Sequence, residues 1–282
     1  VLIPHYGESI LTTREELYKE QLSEEESVPL MSWLAYRYGE EFNAFLSRMA
    51  QSEPSFTRAA TKWGEYSERD WDKLCAWASM RGQTLWRTVA GMTLYHHALE
   101  CHHQMQGHRA CAMGRPDVWD TAEVFTCMVS MQMYPFFNAT QLQHTNRMFE
   151  KFPKSLKVAF IDFEAKGPSA DEDGVHPRQE RRYFSSLIDK ACPMNGDGRR
   201  HPRLRVEMPG FPILGDGKGD NQNHALPFTR GLFIQAIDAN QGAYFEQMLL
   251  LPCVLGEFRP NDSAAGTRKI VGFPEHITSD IG

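Results

Sequence analysis

Between Ala122 and Phe163 the chain changes element type in an order that few folds accommodate. Ala122 to Tyr134, AEVFTCMVSMQMY, is apolar enough for a central strand, with Ser130 and Gln132 at its polar end. Residues 139–152 carry amphipathic helical spacing, and Leu156 to Phe163 (LKVAFIDF) reads as the following strand. Strand, helix, strand is the rhythm of a mostly parallel sheet. Val1 to Pro4 adds a short buried strand, broken by its proline. The expected class is therefore α/β, with a mostly parallel central sheet flanked by helices. Open sheets of this kind hold ligands at the carboxyl ends of their strands. That edge would receive Tyr6 and Glu8 after the first strand, and Asp162 and Glu164 after LKVAFIDF.

A second stretch, Pro212 to Glu246, has the composition of a ligand loop. Its GDGKGD segment (Gly215 to Asp220) holds three glycines, two acids and one lysine, and the uncharged polar residues Asn221, Gln222, Asn223 and His224 follow. Glycines let backbone approach a ligand closely, and Lys218 is a point charge suited to phosphate. The apolar segment Gly231 to Ile237 then reads as a strand that ends on Asp238. A phosphate-binding G-x-x-x-x-G-K-[ST] loop fails on spacing, because Gly219 follows the lysine and a polar run rather than a clear helix comes next.

Totals exclude several classes. At 282 residues, 41% apolar and 23% charged, the chain is long enough for a sizeable core. A net charge of −6 speaks against a nucleic-acid partner. The six cysteines lie far apart, as reduced buried thiols do. No run approaches the ~18 apolar residues of a membrane span. The chain begins on Val1 and ends on Gly282, and reads as a piece of something longer.

Residues 10–120 are expected to be mainly helical. Trp33, Leu34, Phe42, Phe45 and Leu46 should face a core, and Glu24 to Glu26 should form a solvated turn. Asp70 to Ala98 reads as one long helical region with Trp71, Leu74, Trp77, Leu85, Val89 and Met92 as its stripe. Arg81 and Arg87 within it should pair with carboxylates or with a ligand phosphate. His96, His97, Cys101, His102, His103, His108 and Cys111 have zinc-binding chemistry, but their spacing matches no standard finger, which favours a solvated helix end. Residues 107–120 read as a loop, as does 167–182. Tyr183 to Ala191 and Arg203 to Met208 read as antiparallel strands around the turn-rich NGDGRRHP. A helix is expected around Phe245 to Phe258, and a last strand from Ile270 and Val271.

Five segments together carry a resemblance: VLIPHYGE (1–8), WASMRGQTLWRTVAGM (77–92), VSMQ (129–132), ILGDGKGDNQNHA (213–225) and IDANQ (237–241). In this order they resemble the catalytic region of the 1,3-β-glucan (callose) synthase family, and IVGFPEHITSD (270–280) continues it. The opening also resembles the V-I-I-P-x-Y-N-E start of nucleotide-sugar glycosyltransferase domains. The resemblance implies the N-terminal portion of a glycosyltransferase A-like catalytic domain, incomplete at its C-terminus, with a helical insertion at about residues 10–120.

It further implies a plasma-membrane enzyme with this segment facing the cytoplasm. That enzyme would move glucose from UDP-glucose onto a growing β-1,3-glucan with inversion, with a small GTPase as regulator. The alternative is a nucleotide-sugar-binding module without transfer. The family's lysine falls on Lys218 and its acid on Asp238, the implied catalytic pair. His5, Tyr6, Glu8, Gln132, Asp216, Asn221, Asn223, Asn240 and Gln241 are the implied substrate-binding residues. Asp238 would position sugar hydroxyls or hold a divalent ion such as Mg²⁺, although Asp-Ala-Asn replaces the D-x-D of many such enzymes and offers one carboxylate fewer. The family's base carboxylate belongs to an E-D helix that Glu172–Asp173 does not match. Gly219, Gly242 and Ala243 also depart from the family pattern.

Overall fold

A computed structural model describes residues 1–18, 20–22, 27–52, 66–112, 121–165, 181–212, 214, 217–239, 245–258 and 269–272. Two compact units emerge, Val1–Thr93 with Trp119–Gly242, and Leu94–Val118 with Ala243–Gly282.

The first unit is built on a strand, β1 (Leu2–His5), buried at every position. Helix α1 (Arg14–Tyr18) and an antiparallel pair, β2 (Glu20–Leu22) and β3 (Ser27–Pro29), come next. Helices α2 (Leu30–Arg37), α3 (Gly39–Ser52), α4 (Glu68–Ser79) and α5 (Leu85–Met92) then pack their apolar stripes inward. All six residues expected to form the stripe of 70–98 are buried. The single long helix expected there is interrupted. The Ser67 side chain caps α4 by accepting from Asp70 N, and Thr84 caps α5 by accepting from Arg87 N while donating to Ser79 O at 2.8 Å. Leu34, Phe42 and Leu46 are buried as expected, whereas Trp33 is 46% exposed, because Met31 and Leu34 already supply the inward face of the short α2. Arg81 pairs with Glu41 and lies 4.2 Å from the Trp77 ring centroid.

In the second unit α6 (Leu94–Ala112) runs further than the expected loop at 107–120 allowed. Back in the first unit, the apolar stretch from Ala122 divides into α7 (Thr121–Val124), β4 (Cys127–Met131) and a 3-10 turn at Tyr134–Phe136 that carries Pro135 in its first positions. Helix α8 (Ala139–Lys151) starts on a capping box made by Asn138 and Gln141. Strands β5 (Leu156–Ala165), β6 (Arg181–Asp189) and β7 (Leu204–Glu207) complete the sheet, in the order β1-β4-β5-β6-β7.

That sheet is mixed, not mostly parallel. β1, β4 and β5 are parallel neighbours, whereas β5–β6 and β6–β7 are antiparallel. β6 and β7 are joined by residues 190–203, which reverse the chain without the crossover that a parallel pair needs. Asp162 and Glu164 therefore do not end a strand at a ligand edge. β5 continues past them, and both carboxylates pair with Arg205 of β7, at 2.9 and 2.7 Å.

Helix α9 (Lys218–Asn223) covers the sheet where Leu2, Met128, Ala159, Leu187, Ala225 and Phe228 form a buried cluster. A helix here corrects the reading of a polar run without one. The strand expected at Gly231–Ile237 is reduced to one parallel bridge between Ala236 and Leu2. Leu232 and Ile234 stand 95% and 50% exposed, because only Gln235 to Ile237 reaches the β1 edge. In the second unit the expected single helix near 245–258 is two, α10 (Phe245–Met248) and α11 (Leu251–Gly256), with Pro252 starting the second. Residues 269–272 form no strand, and Ile270 is 91% exposed.

Candidate functional site

The carboxyl end of β1 is where the sequence-identified residues converge. After His5 the chain turns sharply, and the Glu8 carboxylate folds back to accept from Tyr6 N at 2.8 Å and Gly7 N at 3.2 Å. Burial opposes ionisation of Glu8, yet those backbone donors overcome it and lower its pKa. His5 is buried, with Nε2 3.0 Å from Glu8 O. A carbonyl only accepts, so Nε2 carries the hydrogen. Burial lowers the His5 pKa against a smaller opposing pull from Glu8, and keeps the ring neutral. Burial likewise raises the Tyr6 phenol pKa, and Asn221 and Lys218 partly offset it.

Helix α9 brings the second group to this edge. It begins after Gly217, whose φ of 152° with ψ of 167° is open essentially to glycine alone. Lys218 Nζ forms an ion pair with Asp238 Oδ1, both side chains about half exposed. The two implied catalytic residues, twenty positions apart, are thus in direct contact.

The amides that follow Lys218 turn inward. Asn221 Nδ2 donates to His5 O at 3.1 Å, and Gln222 Nε2 donates to Leu2 O at 3.1 Å and Ile237 O at 3.2 Å. His224 lies between two strands, with Nε2 2.8 Å from Ser130 Oγ of β4 and Nδ1 2.9 Å from Ser185 Oγ of β6. Burial pushes its pKa down to about 4. Gln132, immediately after β4, is buried at the same strand-end edge.

Not every implied residue joins. Asn223 is exposed and lines a cavity of about 410 Å³ with Asp220, Glu207, Met208, Phe211 and, on its inner side, Ser185 and His224. Asp216, Asn240 and Gln241 lie outside the described residues. Gln222 and His224 stand in the sequence reading only as members of a polar run, and neither Ser185 nor Thr88 receives a site role from it. The available signal for Gln222 was its place four residues after Lys218, one helical turn along.

Asp238 offers one carboxylate, whose Oδ1 faces Lys218 Nζ. Among the described residues no group of three His, Cys, Asp or Glu side chains could hold a metal. The histidine-rich segment forms part of α6, where His96 is buried, His102 Nε2 contacts Leu249 O at 2.9 Å, and His97 pairs with Glu100. The side chains of His108 and Cys111 lie outside the described residues. Among the described residues no helix is long and apolar enough to cross a membrane.

Comparison with known proteins identifies the family. The family described as "1,3-beta-glucan synthase component" matches residues 1–272. The chain is 33% identical to the 1,3-beta-glucan synthase component FKS1 of Aspergillus niger, over 92% of this chain and 15% of that protein. It is 32% identical to the component bgs3 of Schizosaccharomyces pombe, over 95% of this chain and 16% of the relative. Callose synthase 3 of Arabidopsis thaliana is 32% identical over 98% of this chain and 15% of its own length. The chain thus spans only a small part of the curated relatives it matches. The family match covers residues 1–272, and the chain belongs to the 1,3-beta-glucan synthase component family.

Proposed function

We propose that this chain is the donor-binding part of a glycosyltransferase A-type domain that transfers glucose from UDP-glucose to a β-1,3-glucan with inversion. The observation that carries the reading is the contact between Lys218 and Asp238 at the carboxyl end of β1. Lys218 meets the donor diphosphate and offsets the charge that grows on it as the bond to the glucosyl C1 breaks. Asp238 positions the sugar hydroxyls. Tyr6 and Glu8, at the turn after β1, lie where the base and ribose would be held.

Conversion of an α-linked donor into a β-linked product requires one direct displacement. The acceptor 3-hydroxyl oxygen bonds to C1 as UDP leaves, and its proton passes to a carboxylate base. The base is proposed to come from another part of the parent protein, which would work at the plasma membrane with this segment on the cytoplasmic side and a small GTPase as regulator. These last features rest on the family resemblance alone.

The test uses the full-length protein. Lys218→Ala and Asp238→Ala should each reduce UDP-glucose-dependent polymer synthesis on the order of 10²-fold or more, the usual cost of removing one preorganised electrostatic contact. Near-parental synthesis by both variants would refute the assignment. Retained UDP-glucose binding and no polymer from the parent protein would favour a binding module.

A further inference from the structure

We infer that Gln222 and Thr88 are positioning residues that set Asp238 against Lys218, an inference that rests on the donor-site reading above. Asp238 follows an exposed segment. Residues 231–236 are exposed, and the backbone meets the sheet at a bridge in which Leu2 N donates to Gln235 O at 2.8 Å and Ile237 N donates to Leu2 O at 3.1 Å. A carboxylate placed there needs further restraint to meet a lysine on another element.

Two side chains provide it, one on each side of Asp238. Gln222 Nε2 donates to Ile237 O, the carbonyl just before Asp238, and to Leu2 O of β1. Thr88 Oγ1, from helix α5, donates to Ala239 O, the carbonyl just after it, at 2.5 Å. Both side chains are buried, so neither is a surface group meeting the segment by chance. The amide orientation of Gln222 follows from its partners, because two carbonyl oxygens can face only the NH₂ end.

The helix spacing completes the device. Lys218 and Gln222 are i and i+4 on α9, hence neighbours on one face, while Ile237 and Asp238 are adjacent in the chain. One helical face therefore grips the segment twice, through a neutral amide at residue 237 and an ion pair at residue 238. The ion pair is half exposed and yields to a ligand, whereas the buried amide contact is not open to one. Gln222 and Thr88 thus hold the Asp238 backbone in place when a diphosphate takes Lys218.

The experiment compares Gln222→Met, which keeps length and packing without the donors, with Thr88→Val, which keeps shape without the hydroxyl, in the full-length protein. Misplacement of reacting groups by about 1 Å costs up to ~100-fold in rate. Each variant should lose about 10- to 100-fold in kcat, with KM for UDP-glucose changed by less than about threefold and the melting temperature near parental. Gln222→Glu should be worse than Gln222→Met at neutral pH, where a carboxylate faces two carbonyl oxygens. It should regain activity as pH falls and its carboxyl, once protonated, can donate one hydrogen bond. Gln222→Met should show no such recovery.

Parental kcat in both Gln222→Met and Thr88→Val would overturn the inference. So would a lowered melting temperature with unchanged kcat per folded molecule, which is the result of a purely structural role. If Gln222→Met does not fold, Thr88→Val decides by the same criteria. Inactive Lys218→Ala beside parental Gln222→Met and Thr88→Val would overturn this inference and leave the donor site standing. Active Lys218→Ala and Asp238→Ala would overturn both.

Discussion

His224 is a buried polar residue held between hydroxyls of two strands. Ser130 Oγ donates to Asn221 O and Ser185 Oγ donates to His224 O, so each hydroxyl oxygen is left to accept, and a neutral ring can donate to only one of them. The neutral ring thereby joins β4, β6 and the end of α9. Its folded pKa near 4 lies below the ordinary value of 6.5, so the unfolded chain binds more protons between those two pH values. The stability tied to the neutral ring is complete above about pH 6.5 and is lost as pH falls toward 4. The expected loss from this residue is roughly 2 kcal/mol between pH 7 and pH 5. Denaturant titrations at those two pH values should show a smaller difference for His224→Gln than for the parent, and an equal difference would refute the argument.

At the scale of elements, short helices depend on their ends. α4 has a reciprocal cap, in which Ser67 Oγ accepts from Asp70 N and donates to the Asp70 carboxylate at 2.7 Å, with Asp70 itself buried. Ser67→Ala removes both contacts and leaves a buried carboxylate without its hydroxyl partner. A cost of about 1–2 kcal/mol is expected, read as a shift in the denaturation midpoint at unchanged slope. α9 has no side-chain cap and is held by its own inward amides. This division was only partly legible. Ser67 and Asn138 sit at recognisable helix starts, whereas KGDNQN has no apolar stripe and gives no periodic signal. Its helix exists because carbonyls of β1 and residue 237 receive the amides.

For the whole molecule, acid sensitivity should arrive in two stages. His5, His144 and His224 all have pKa values lowered first by burial, so each resists protonation in the fold. Their contribution disappears as pH falls below about 6.5. Glu8 and Asp189 have lowered pKa values despite burial, through backbone donors for Glu8 and the Arg203 and Cys192 contacts for Asp189. Their contribution is present above the ordinary carboxylate range and is lost below it. Circular dichroism against pH should show stability declining first between about pH 6.5 and 4, then further in more acid solution. Stability that is flat from pH 7 to pH 5 would contradict the histidine assignments.

The sequence by itself determined the α/β class, the buried strands VLIP and KVAFI and the tryptophan-rich helical stripe, and family resemblance drew attention to Lys218 and Asp238, whose contact came from the tertiary structure. These are local or periodic signals, since apolar spacing reports which face is buried whatever covers it. Tertiary structure decided that β5 pairs antiparallel with β6, that Gly231–Ile237 keeps one bridge in place of a strand, and that Asn221 and Gln222 face backbone carbonyls. The reason is that strand direction depends on the partner edge, and an amide serves a ligand or a buried carbonyl equally well. Only the groups brought near it through folding select between the two.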